Sequence, residues 1–501
     1  METPRRSLAA ALGALLLAAC SGPAQDTGQH AVRHYGSLAF RPCTLTSPYL
    51  TTNVEAQCAT LPVAEDPDQP EGRKVALNVA WLPATNEGAA TDDPVFFLAG
   101  GPGQSAVEVW PAIDASFREV RKSRHVILVD QRGTGQSNPL SCKDDQGRNA
   151  YGDTEDLGEA AAVAFARQCA ASLEADPRFY TTTDAVRDLD SVRAALGAEK
   201  INVAGASYGT RVAQQYAMRL PQHTRSVVID GVIPNELALG SDHARNLDAA
   251  LALQFQRCQD TPACKDKFGG DMREQLRGLM ARLGTETVET DYRDPLTGEV
   301  ARDRVTPGAV AGITRMYSYY PQGAALLPLV LSEAHQGRYG SLMSLAKLLE
   351  TQMGDQFMHG MQLSVICAED ADLLQDNPDD RDTVLGNTMG DYLKAQCSAW
   401  PTGKRPADFH APWASDLPTL LLSGELDPVT PPRYGEQIVR NLPNGRHIVL
   451  KGQGHGTFGV GCMPKLLGRF LESADAKALD AKCLDSLDYV PPFTSFNGWE
   501  P

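Results

Sequence analysis

Residues 201–221 read INVAGASYGTRVAQQYAMRLP, a short apolar run, a serine framed by Gly205 and Gly209, and then a segment with amphipathic helical spacing. In a chain with 44 glycines, a G-x-S-x-G pentapeptide alone is a weak signal. Its setting carries the information: a strand that turns sharply into a helix places Ser207 on the turn, lifts its hydroxyl clear of a sheet and sets it beside the positive helix end. Small flanking residues suit such a turn because neighbouring chain passes close by.

The text on either side has the same rhythm. VALNVAWL, PVFFLAG, HVILVD, KINVAGAS and RSVVIDGV are short apolar runs, separated by helical patterns such as TTDAVRDLDSVRAALG. In that last segment Ala185, Leu189, Val192 and Leu196 recur at helical spacing, Thr182 or Thr183 can cap the start, and Gly197 can end it. Strands alternating with helices predict an α/β protein with a mostly parallel sheet and helices on both faces. From about 235 to 410 the sequence turns helical, charged and loop-rich without clear strands, which predicts an inserted helical cap. The strand rhythm then resumes in LPTLLLSGELDPVTPP and RHIVLKGQGHG, so the core is expected over 41–234 and 411–501.

A serine hydroxyl needs a base, and the base needs a carboxylate that fixes its tautomer. Both should follow Ser207 in the chain, each just past a strand. Asp427 ends LLLSGELD and His455 ends HIVLKGQGH; of the ten histidines, His455 alone combines a position after a strand with flanking glycines. Asp230, ending VVID, is the rival acid, whereas Glu425 would point to the opposite face of an extended strand. The N–H of Tyr208 and an N–H from the glycine loop in FFLAGGPGQS would receive a developing oxyanion. The loop is no phosphate cradle, because no G-K-[ST] follows it.

The chain begins METPRRSLAAALGALLLAACSG, a basic start, an apolar run too short to span a bilayer, and a cysteine after small residues. Leu17-Ala18-Ala19-Cys20 looks like a bacterial lipobox, which implies a signal peptide over 1–19 and lipidation of Cys20; the alternative is an ordinary signal peptide cut nearby. Ser21 in place of aspartate favours the outer membrane, so the expected location is the cell envelope, exported and lipid-anchored, with residues 20–40 as a tether. Setting Cys20 aside, the eleven cysteines leave ten, an even number in an exported chain. Pairing neighbours gives Cys43–Cys58, Cys142–Cys169, Cys258–Cys264, Cys367–Cys397 and Cys462–Cys483. The spacing suggests no metal site, and a formal charge of −16 argues against a nucleic-acid partner.

GGPG at 100–103, DQRGTGQS at 130–137, GASYGT at 205–210, GELDPVTPP at 424–432 and GQGHG at 452–456, in this order, resemble the α/β-hydrolase exopeptidases. The likeness is to proline iminopeptidases and, more closely, to secreted tripeptidyl aminopeptidases with a TAP-like C-terminal region, over about residues 40–485. Ala99 departs from the pattern, since proline iminopeptidases usually carry histidine there. The resemblance implies an α/β-hydrolase fold and a cofactor-free serine exopeptidase releasing one residue or a tripeptide from free peptide amino termini. Ser207 would be the nucleophile, His455 the base and Asp427 its orienting acid, with N–H groups of Tyr208 and Gly101 as the oxyanion hole. Glu369, and next to it Asp370, would bind the substrate ammonium, while Asp130 and Arg132 would fix their loop. Two alternatives stand beside this reading: an esterase or amidase on the same fold, and a catalytically silent surface lipoprotein that binds a ligand.

Overall fold

The structure, a computed structural model, describes residues 32–47, 50–143, 158–353 and 357–497; the signal segment and Cys20 lie outside them. Among the described residues, ten strands form one sheet and two form a separate hairpin. In chain order the strands are β1 Arg33–Tyr35, β2 Leu38–Ser47, β3 Leu50–Ala64, β4 Lys74–Leu82, β5 Val95–Leu98, β6 Val126–Val129, β7 Ile201–Ala206, β8 Thr224–Asp230, β9 Val288–Arg293, β10 Val300–Val305, β11 Thr419–Gly424 and β12 Gly445–Leu450. Across the main sheet they lie in the order β1-β2-β3-β4-β6-β5-β7-β8-β11-β12. From β6 to β12 every pairing is parallel, and from β1 to β6 every pairing is antiparallel.

The central strands β5 and β6 are apolar at every position because both faces are covered. Along β5, Val95 and Phe97 enter one core and Phe96 and Leu98 the other; on β6, Val126 and Leu128 alternate with Ile127 and Val129 in the same way. Helices Thr182–Leu196 and Tyr208–Arg219 fill one face, and helices Ala106–Ile113 and Met463–Ser473 the other. Thr181, rather than Thr182 or Thr183, caps the helix Thr182–Leu196, through a reciprocal capping box with Asp184; Gly197 ends it at φ 72° as expected.

Strands β8 and β11 are direct parallel neighbours, so the chain leaves the sheet at Asp230 and re-enters beside it at Thr419. The intervening cap has a core of its own, built from Leu247, Leu276, Ile313, Leu327 and Leu342 among others. Two expectations are corrected here. The tether does not reach residue 40, since β1 starts at Arg33 and β2 at Leu38, with Leu38 and Phe40 buried in the core. The cap also contains strands: VETDYR and VARDRV form the β9–β10 hairpin, tied across by Arg302 to Glu289 at 3.0 Å. Five disulfides close in the neighbour-to-neighbour order Cys43–Cys58, Cys142–Cys169, Cys258–Cys264, Cys367–Cys397 and Cys462–Cys483. Among the described residues no helix is long and apolar enough to cross a membrane.

Candidate active site

The loops that follow β5, β7, β8, β11 and β12 leave the parallel strands at one edge of the sheet, where open α/β sheets gather their functional groups. Ser207 is the first residue past β7 and stands at φ 54°, ψ −123°, a strained setting for a residue with a Cβ. Its N–H donates to the Asp230 carbonyl at 2.9 Å, and its own carbonyl accepts from the Thr210 N–H at 2.8 Å. The turn is so tight that a methyl group added at Gly205 would lie 2.2 Å from the Gly209 carbonyl oxygen. Ser207 is half-buried and reachable, and the helix Tyr208–Arg219 starts immediately behind it.

Asp427 and His455 meet as the sequence expects: His455 Nδ1 lies 2.7 Å from Asp427 Oδ2. Asp427 is buried, and its carboxylate also accepts from the N–H groups of Val429 and Thr430 at 2.8 Å each and from Thr430 Oγ1 at 2.7 Å. Burial raises its pKa, but His455 and these donors outweigh it and hold the acid below the usual carboxylate value. Burial alone would lower the His455 pKa; the Asp427 charge and hydrogen bond reverse this, and the net shift is upward. The His455 ring packs edge-on against Tyr319, centroids 5.2 Å apart, and the His455 N–H donates to the Tyr319 carbonyl at 2.7 Å. A cap segment therefore helps to fix the His455 ring.

The GGPG loop passes over Ser207: a methyl group added at Gly100 would lie 3.1 Å from the Ser207 Cβ. The Met358 N–H, from the cap, donates to the Gly103 carbonyl at 3.0 Å and pins this loop. Asp130 accepts from Ser105 Oγ at 2.6 Å, Asn78 Nδ2 at 2.8 Å and the N–H groups of Val107 and Gln136, both at 3.1 Å. Arg132 makes a two-pronged contact with Asp188 at 2.6 and 2.7 Å. Both side chains thus hold the DQRGTGQS loop in place.

Glu369 and Asp370, expected to bind a substrate ammonium, are both engaged within the protein. Both are fully buried at the end of the cap helix His359–Glu369. Glu369 accepts from the Thr182 N–H at 2.6 Å and from Thr182 Oγ1 at 2.9 Å, and Thr182 Oγ1 in turn lies 2.7 Å from the Tyr208 hydroxyl. Burial, and then the neighbouring Asp370, push the Glu369 pKa up to about 8, so its carboxyl is mostly neutral at pH 7. Asp370 is paired with buried Arg211 at 2.8 Å and accepts the Leu239 N–H at 3.1 Å. The pair bolts the cap to the helices Thr182–Leu196 and Tyr208–Arg219.

Thr430, Tyr319 and Met358 escape the sequence reading. Thr430 had a local signal, since an Asp followed by Thr ahead of prolines suits a turn closed on the Asp side chain. Tyr319 and Met358 had none, because they reach the site from the cap. Among the described residues, no group of three or more His, Cys, Asp or Glu side chains is arranged to hold a metal ion.

The family described as alpha/beta hydrolase fold matches residues 93–461, which span the whole constellation from β5 to beyond His455. This chain belongs to the α/β hydrolases. Among related α/β hydrolases, Serine protease Hip1 of Mycobacterium tuberculosis is 26% identical over 495 residues, covering 89% of this chain and 91% of its own. Tripeptidyl aminopeptidase of Streptomyces coelicolor is 24% identical over 460 residues, covering 85% and 83%. The crystal structure of proline iminopeptidase from Mycobacterium smegmatis aligns with 84% of this chain and all of its own at 18% identity and a TM-score of 0.40.

Proposed function

We propose that this α/β hydrolase is a serine exopeptidase that removes residues from the free amino termini of peptides through an acyl-enzyme on Ser207. The observation that carries the chemistry is the strained Ser207 turn at the same sheet edge as a buried 2.7 Å Asp427–His455 pair. In this reading His455 takes the Ser207 proton as the hydroxyl attacks the scissile carbonyl, then delivers it to the leaving amine. Asp427 keeps the Nδ1 proton in place and stabilises the imidazolium. The N–H groups of Tyr208 and Gly101 receive the oxyanion. The choice of peptides is supported by the two relatives that match along most of the chain, named as a protease and a tripeptidyl aminopeptidase.

One observation favours a second reading, an esterase or amidase without a need for a free amine. Both oxygens of Glu369 are taken by Thr182 and Oδ2 of Asp370 by Arg211 and the Leu239 N–H, and both residues are fully buried, so neither carboxylate stands open to a substrate ammonium. Paired tripeptide amides, one with a free amino terminus and one acetylated, separate the two. The exopeptidase reading expects at least about 100-fold higher kcat/KM on the free peptide, the loss of one charge-assisted contact or more. Equal cleavage of both removes it and leaves the esterase or amidase.

We also propose an envelope location, with the protein anchored through a lipidated Cys20. Five disulfides support an oxidising compartment. The mass of the mature amino-terminal peptide decides the anchor: acylated Cys20 is expected, and a free amino terminus at another residue sinks it.

A further inference from the structure

Asp230 is not needed as the orienting acid, because Asp427 fills that role, yet it is a buried carboxylate at the end of β8 whose side-chain hydrogen bonds go to the loop after His455. Its carbonyl accepts the Ser207 N–H. Its carboxylate accepts from Thr457 Oγ1 at 2.9 Å, from the Phe458 N–H at 2.9 Å and from the Thr457 N–H, which follow His455 closely in the chain. The next residue, Gly231, stands at φ 69°; a methyl group there would lie 3.0 Å from His455 Cε1 and 3.1 Å from Thr430 Oγ1. Residues 230 and 231 therefore touch the nucleophile turn, the base loop and the acid loop together.

We propose that Asp230 is a positioning residue for acyl transfer, locking the Ser207 turn and the His455 loop to one strand end and placing a second negative charge behind the imidazole. The proposal rests on reading Ser207, His455 and Asp427 as the triad. Both backbone N–H groups converge on Oδ2 while Oδ1 meets the Thr457 hydroxyl, so an ionised carboxylate takes all three donors as they stand, whereas an amide loses the charge and forces the Thr457 hydroxyl to turn round and accept. The Asp230 charge raises the proton affinity of His455, after burial and Asp427 have acted. Burial pushes Asp230 itself up to about 6, so the charge is present at neutral pH and fades in mild acid. The other ionisable groups facing His455 are Asp427, the Tyr319 phenol and His243 on the cap helix His243–Asp260; burial first and Arg315 second push His243 down to about 3, so it stays neutral.

The test compares the whole protein with Asp230→Asn, counting intact sites with a fluorophosphonate label and measuring kcat, KM and the pH profile on a peptide amide. Per labelled site, kcat is expected to fall about 100-fold with KM nearly unchanged, the scale of a small misplacement of reacting groups. The acid limb of kcat/KM should move to lower pH, since losing a nearby anion makes His455 easier to deprotonate. Unchanged kcat per site and an unmoved limb would overturn the proposal. Should the amide variant fail to fold, Thr457→Val decides: it removes one donor but keeps the charge, so kcat should fall about 10-fold with the limb in place, and Thr457→Ser should restore it. Full activity in Thr457→Val would overturn the positioning role. Failure of the wild-type protein to label would instead count against the triad itself.

Discussion

Ser207→Ala is expected to lower kcat by roughly 10⁵- to 10⁶-fold while leaving the thermal midpoint within about 2 °C of the wild type. The size follows from what is lost. Without the hydroxyl, His455 and Asp427 have no nucleophile to activate, and only the binding and oxyanion contributions remain. The unchanged stability follows from the backbone: alanine has a Cβ like serine, so the strain at φ 54° is the same, and the Ser207 contacts that hold the turn run through its N–H and carbonyl. Turnover of a chromogenic peptide amide and a melting curve check both halves. Activity within tenfold of wild type in well-folded protein would remove Ser207 from the mechanism, however well the turn is formed.

The residues of the site differ in how far the sequence reveals them, and the reason is locality. Ser207 and Asp427 each follow an apolar run that is buried on both faces, and His455 follows the edge strand β12 with its short apolar run, so the strand marks the place and the residue type marks the chemistry. Cys partners are close in sequence and their pairing is legible for the same reason. The antiparallel side of the sheet is harder: β2 reads LAFRPCTLTS with buried Leu38, Phe40 and Leu45 separated by exposed or half-buried residues, and its first three residues fall in the stretch expected as a tether. The β9–β10 hairpin is hidden by its charges, which face water while only Tyr292 and Val305 are buried along it. Glu369 and Asp370 show the limit most clearly. Their acidity is plain in the sequence, but their complete burial and their partners Thr182 and Arg211 depend on contacts spanning more than 150 residues of chain. The same holds for Tyr319 and Met358, which the cap delivers to loops far away in sequence.

Asp427→Asn should be the second largest loss, about 10⁴-fold in kcat near neutral pH, by an exchange of tautomer and not by a change in shape. The Asp427 carboxylate is saturated by donors: Oδ1 takes the Val429 and Thr430 N–H groups, and Oδ2 takes Thr430 Oγ1 and His455 Nδ1. An asparagine must keep its one oxygen toward the two backbone N–H groups, which turns its NH₂ toward His455 Nδ1. The imidazole then becomes the acceptor at Nδ1 and carries its proton on the nitrogen that should receive one from Ser207. The lost charge also acts on titration. The Asp427 anion is what overcomes burial and raises the His455 pKa, so without it the acid limb of kcat/KM should move to lower pH even as the plateau drops. Asp230 cannot take over, because its carboxylate is held by Thr457 and Phe458. A pH profile of the variant, scaled to labelled sites, tests this: activity within tenfold of wild type would transfer the orienting role from Asp427 to Asp230, and an unmoved limb would mean that the Asp427 charge does not set the proton affinity of His455.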